Sequence, residues 1–168
     1  PGNGSQAANM FTYSNSSIDG VVLEASLTPA GGGEADSSSD VGITYTGIDG
    51  LTIGLATGTD SGGSVEVDNS TRYITYAYDA FTFGYQSNAM DSATANADEN
   101  FTAYAVSYAV NDDLSISYGY SELDYEGTST LTDTTQEASA ISVSYTMGSM
   151  AIAATRADVD NQDGDTVK

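Results

Sequence analysis

Tyr104-Ala105-Val106-Ser107-Tyr108-Ala109-Val110 and Leu114-Ser115-Ile116-Ser117-Tyr118-Gly119-Tyr120 flank the polar break Asn111-Asp112-Asp113. In the first run Tyr104, Val106, Tyr108 and Val110 alternate with small residues. In the second, Leu114, Ile116, Tyr118 and Tyr120 alternate with Ser and Gly. A period of two places each set on one face of a β-strand, and the break between them reads as a hairpin turn.

The same pattern recurs outward in both directions. Turn-like breaks stand at Ser17-Ile18-Asp19-Gly20-Val21, Gly47-Ile48-Asp49-Gly50-Leu51, Ala77-Tyr78-Asp79-Ala80-Phe81 and Thr146-Met147-Gly148-Ser149-Met150. Asp-Gly between alternating runs is a strong hairpin signal, and the spacing predicts type I′ turns with φ > 0 at both central residues. Alternation predicts ten strands, at roughly 8–16, 20–29, 39–46, 51–58, 70–78, 81–88, 100–110, 114–123, 137–147 and 150–158. Most have the ~9–11 residues that a tilted strand needs to cross a bilayer, against ~5–6 in soluble sheets.

Long polar segments separate the hairpins, at roughly 30–38, 59–69, 89–99, 124–136 and 159–168, so tight turns and long loops alternate. In a meander this gathers all turns at one end and all loops at the other. Short turns and longer extracellular loops are the asymmetry of outer-membrane barrels. Asp40, Glu137 and Asp158 stand at loop-side strand ends, and Glu24 and Glu122 are the only other carboxylates inside the expected strands. Asp19, Asp49, Asp79, Asp112 and Asp113 sit in tight turns, and the others sit in or beside the long segments.

Composition narrows the function. The 168 residues carry 24 Asp+Glu against 3 Lys+Arg, a formal net charge of −21. Three cations cannot track a phosphate backbone, so nucleic acid is excluded as a partner. Without His or Cys there is no imidazole base, thiol nucleophile, zinc site or disulfide. Only a carboxylate pair or a bare Ser could act in catalysis, and nothing places either, so the chain reads as no enzyme. An apolar fraction of 39% with 12 Tyr argues against disorder.

One strand face is large and apolar: Val41, Ile43, Leu51, Ile53, Phe81, Phe83, Val106, Leu114, Ile116, Ile141 and Val143. This set is expected to meet lipid or a neighbouring protomer. The other face is small and polar, without the long charged side chains of a soluble sheet. Glu24, Thr44, Thr52, Thr82, Gln86, Ser115, Ser117, Ser142 and Ser144, with Val22 and Ser26, are therefore expected to line water.

Asn9-Met10-Phe11-Thr12-Tyr13-Ser14, the turn through Gly20 and the strand Val21-Val22-Leu23-Glu24-Ala25 resemble general porins of Gram-negative bacteria. Tyr104-Ala105-Val106-Ser107-Tyr108 and Ile116-Ser117-Tyr118-Gly119-Tyr120 are similar to porin strands. The resemblance covers nearly all of the chain. It implies an all-β, antiparallel, up-and-down transmembrane barrel of 16 strands, of which about ten are seen here as an interior segment. It implies a homotrimer in the bacterial outer membrane, beside lipid and lipopolysaccharide. Small hydrophilic solutes and ions would diffuse passively through it. It also implies an acidic constriction loop facing a basic wall cluster, but no such cluster is present in this sequence.

On this reading residues 1–168 form one barrel segment without an internal domain boundary, and acidic loops make the pore cation-selective. No cofactor is needed. Ca2+ or Mg2+ could sit at acidic loops, with Asp158, Asp160, Asp163 and Asp165 as candidate ligands. Counted back from Gly164, however, Val159 falls at a ligand position, which favours a solvated acidic loop. A second reading, a secreted acidic β-repeat surface or adhesin-type protein that binds calcium, fits the same composition.

Overall fold

The computed structural model describes residues 10–30, 37–62, 65–94, 98–126 and 134–161. They form ten strands: β1 (Phe11–Ile18), β2 (Val21–Thr28), β3 (Ser37–Ile48), β4 (Leu51–Gly62), β5 (Val65–Tyr78), β6 (Phe81–Ser92), β7 (Glu99–Ala109), β8 (Leu114–Tyr125), β9 (Thr134–Met147) and β10 (Met150–Asp160). Every strand pairs antiparallel with its chain neighbour, in one sheet of order β1 to β10. The sheet is an up-and-down meander that does not close on itself. Among the described residues it has no buried hydrophobic core.

The register is sheared. From Val21, which opens β2, the cross-strand partners run Tyr45, Ile53, Ile74, Tyr85, Tyr104, Tyr120, Ser139 and Asp158. Asp158 lies eight residues beyond Met150, where β10 opens. The row has climbed about one residue per strand. With ~3.4 Å of rise per residue and ~4.8 Å between strands, that stagger gives a tilt of roughly 35°. Barrel closure demands a tilt of this size.

The turns are of three kinds. Gly20 (φ 70°) and Gly50 (φ 73°) are left-handed, while Asp19 and Asp49 before them are not. The expected type I′ geometry, with both residues left-handed, is therefore absent here. One extra residue bulges into the preceding strand instead, between Asn15 and Ile18 and between Tyr45 and Ile48. A bulge restores the twist that such a turn lacks. At the β5–β6 and β9–β10 turns only the first central residue is left-handed, Asp79 (φ 53°) and Gly148 (φ 61°), and the register runs on without a shift. At β7–β8 the Asn111 Oδ1 accepts from the amides of Asp113 and Leu114, both at 2.9 Å. The turns are also tied sideways, the Gly20, Gly50, Ala80 and Asp113 carbonyls accepting from Thr46, Ala77, Ala109 and Thr146.

The strands run further toward the loop end than alternation predicts. Residues 59–69, expected as a long loop, are largely hairpin: Thr59 faces Asp68, Asp60 faces Val67 and Ser61 faces Glu66. Asp40, Asp60, Glu66, Asp68, Asp91, Glu99, Asp124, Glu137, Asp158 and Asp160 accordingly stand within strands. The backbone ladder needs no apolar side chain to continue, so it outlasts the apolar pattern.

Candidate functional site

The pleat sorts the strand residues onto two faces. Thr82, Ser107, Ser117, Ser142 and Thr155 form one cross-strand row, with the Ser142 and Thr155 hydroxyls 2.8 Å apart. Ser115 and Ser144 form the next. Glu24 pairs with Gly42, Val22 with Thr44, Thr52 with Thr75, and Gln86 with Tyr73. The register links all these rows, so the expected water-lining residues lie on a single face. Val41, Ile43, Leu51, Ile53, Phe81, Phe83, Val106, Leu114, Ile116, Ile141 and Val143 lie on the opposite one.

The small-residue face is the more sheltered. Gly42, Thr44, Ser142 and Ser144 are half-buried and Gly54 is buried. On the other face Val41 is 54% and Ile141 56% exposed. That apolar face is ordered by stacked rings. Phe81 lies 4.6 Å from Tyr108 and Tyr104 lies 5.1 Å from Tyr120, centroid to centroid. A large unpartnered apolar face on a sheet with no core is what lipid would cover.

Charge follows the same division. Register places Glu24, Asp40, Asp60 and Glu99 on the small-residue face. Arg72 and Arg156 both lie on the apolar face, in the rows of Leu55 and Ile141, each six residues from the turn end of its strand. The described strands thus present four carboxylates and no Lys or Arg on the small-residue face. Three of the four were expected at loop edges. Asp40 is in step with Gly42, Asp60 with Gly58 and Glu99 with Ala103, each an even number of residues apart, and that spacing was the available signal.

Asp40 accepts a 2.8 Å hydrogen bond from the Ser26 hydroxyl. Tyr73, Met90, Phe101 and Leu123 are large side chains on this face, and they border a cavity of about 600 Å3 together with Glu24, Asp40 and Glu99. The candidate metal residues divide. Asp158 and Asp160 share the outward face of β10, where Asp158 takes an exposed 3.5 Å ion pair from Arg156. Asp163 and Asp165 lie outside the described residues. No cluster of three or more metal-ligating side chains occurs among the described residues.

A sheared, up-and-down sheet with a lipid-suited face and a small polar face defines the wall of an outer-membrane β-barrel. The model of the Gram-negative porin family matches residues 2–165, and the chain belongs to that family. Its place is the bacterial outer membrane. Among solved structures the chain is similar to the outer-membrane expressed OmpT of Vibrio cholerae. The TM-score is 0.70 at 16% identity, covering 90% of this chain and 54% of that one. It is also similar to a BenF-like porin from Pseudomonas fluorescens Pf-5, with a TM-score of 0.54 at 12% identity, covering 92% and 56%. At these identities the likeness is one of fold. The chain spans little more than half the length of either structure. No curated protein matches it in sequence.

Proposed function

We propose that this chain forms part of the wall of a passive, cation-preferring diffusion pore for small hydrophilic solutes and ions. One observation carries the preference: the described small-residue face holds Glu24, Asp40, Asp60 and Glu99, while both described arginines point the other way. A wall of one sign concentrates counter-ions, and acidic rings favour cations in pores. In this reading Glu24, Thr44, Thr52, Thr82, Gln86, Ser115, Ser117, Ser142 and Ser144 line water. The tight turns face the periplasm, and the pore is a homotrimer within a 16-stranded barrel. Family membership supports these assignments. Outward carboxylates such as Asp91 and Asp158 would meet lipopolysaccharide through Ca2+ or Mg2+.

Reversal potentials across a planar bilayer under a KCl gradient test the preference. Glu24→Gln combined with Asp40→Asn should lower it. So should salt, because the Debye length falls from ~10 Å at 0.1 M to ~3 Å at 1 M. An anion-selective or neutral pore at low salt would overturn the reading.

A further inference from the structure

The cavity on the small-residue face has an unusual floor. Where β3 and β4 pair, its residues are Gly42, Gly54, Ala56 and Gly58. Two side chains use the missing volume. The ring of Tyr73 lies across Gly54, where a Cβ would strike it, and the carboxylate of Asp40 leans over Gly58 in the same way. Gly54 and Tyr73 are direct cross-strand partners, as are Gly58 and Asp40. Aromatic cover of a cross-strand glycine fixes the ring against the wall. Ser26 fixes the other end by donating to Asp40. Gly42 remains open: a Cβ there would meet the Ala56 Cβ at 3.5 Å, an ordinary contact.

The hollow is thus bounded on one side by the carboxylates of Glu24 and Asp40, and on the other by Tyr73, Met90 and Phe101, with the Glu99 carboxylate beside Met90. The Asp40 carboxylate and the Tyr73 ring lie over Gly58 and Gly54, four residues apart on β4, a span of about 13 Å at ordinary strand rise. About 600 Å3 is the size of a small-molecule site. A bare inorganic cation would use the carboxylates and leave the aromatic side empty. An anion would meet three negative charges. A cation bearing an apolar or aromatic body satisfies both sides, with its charge at Asp40 and its body against the Tyr73 ring face.

We propose that this glycine-floored hollow is a binding station for organic cations that carry an apolar or aromatic body. The inference rests on the pore reading above and names a solute class for it. Occupancy by such a cation would obstruct potassium flow, so block of single-channel conductance measures it.

In planar bilayers holding the intact channel, benzyltrimethylammonium should block potassium current at lower concentration than tetramethylammonium. Benzenesulfonate should not block. Tyr73→Leu and Asp40→Asn should each weaken the benzyltrimethylammonium block by roughly fivefold, while Tyr73→Phe retains most of it. Gly42→Val fills the hollow without removing a charge and should weaken the block as well. Unblocked conductance of each variant confirms that it has folded. Equal block by the two ammonium ions, or block insensitive to both Tyr73→Leu and Gly42→Val, would overturn the station. If the same channels keep their cation preference under a KCl gradient, the station alone falls. If they prefer anions, both readings fall.

Discussion

On the apolar face of β3 to β9 the turn-proximal and loop-proximal halves of the strands differ, although one backbone ladder runs through both. Near the turns the outward residues are Phe81, Phe83, Tyr108, Ile116 and Val143, with Phe81 stacked on both Phe83 and Tyr108. Toward the loops the same face carries Thr59, Asp68, Asp91, Asp124 and Thr135. There hydroxyls bond carboxylates, Thr59 to Asp68 and Thr135 to Asp124. The ladder satisfies backbone groups in lipid and water alike, whereas side chains must match the solvent beside them. Side-chain chemistry, not strand length, therefore marks where the bilayer stops.

The largest expected effect is on the lipid side of that boundary. Ile116→Arg should destabilise folding into vesicles by roughly 2–4 kcal/mol, because it sets a cation among lipid tails. Ser70→Arg, on the same face but beyond the apolar band and opposite only Thr57 and Ala89, should cost only ~0–1 kcal/mol, and Ser117→Arg, on the other face, should be tolerated. Urea-dependent folding titrations compare the three, and equal damage at Ile116 and Ser117 would erase the distinction between faces.

Aromatic stacking should give an intermediate effect. A double-mutant cycle on Phe81→Ala and Tyr108→Ala should return a coupling of ~0.5–1.5 kcal/mol. A coupling near zero would reduce the aromatic ladder to plain area burial. The smallest effect belongs to the loop-proximal half, where Asp68 and Asp91 face each other across β5 and β6. Like charges in that position repel, so Asp91→Asn should stabilise by ~0.2–1 kcal/mol at low salt. The gain should shrink as salt screens the pair, and destabilisation by Asp91→Asn would mean that the carboxylate has a partner of its own.

Much of this was legible beforehand because alternation is a local signal. Tyr104 to Tyr120 alone announces a hairpin, and the common face of Ser115 with Ser117 and of Ser142 with Ser144 survives any error in where the strands begin or end. Boundaries themselves were less legible. Thr59 through Asp68 reads as loop because its side chains are polar, yet polarity there reflects solvent rather than backbone conformation. The Asp-Gly turns were located correctly and typed wrongly, because a bulge that changes the turn leaves no residue-level mark in Asn15-Ser16-Ser17-Ile18.

The sequence by itself determined the ten alternating runs, the turns between them, the division into a large apolar and a small polar face, and the acid excess. Those properties depend on residues one or two positions apart. Only the tertiary structure decided the one-residue climb per strand, the outward position of Arg72 and Arg156, the ring of Tyr73 over Gly54 and the carboxylate of Asp40 over Gly58. Each of these depends on which residue of one strand faces which residue of the next, and cross-strand register is fixed by the summed pairing of the whole sheet.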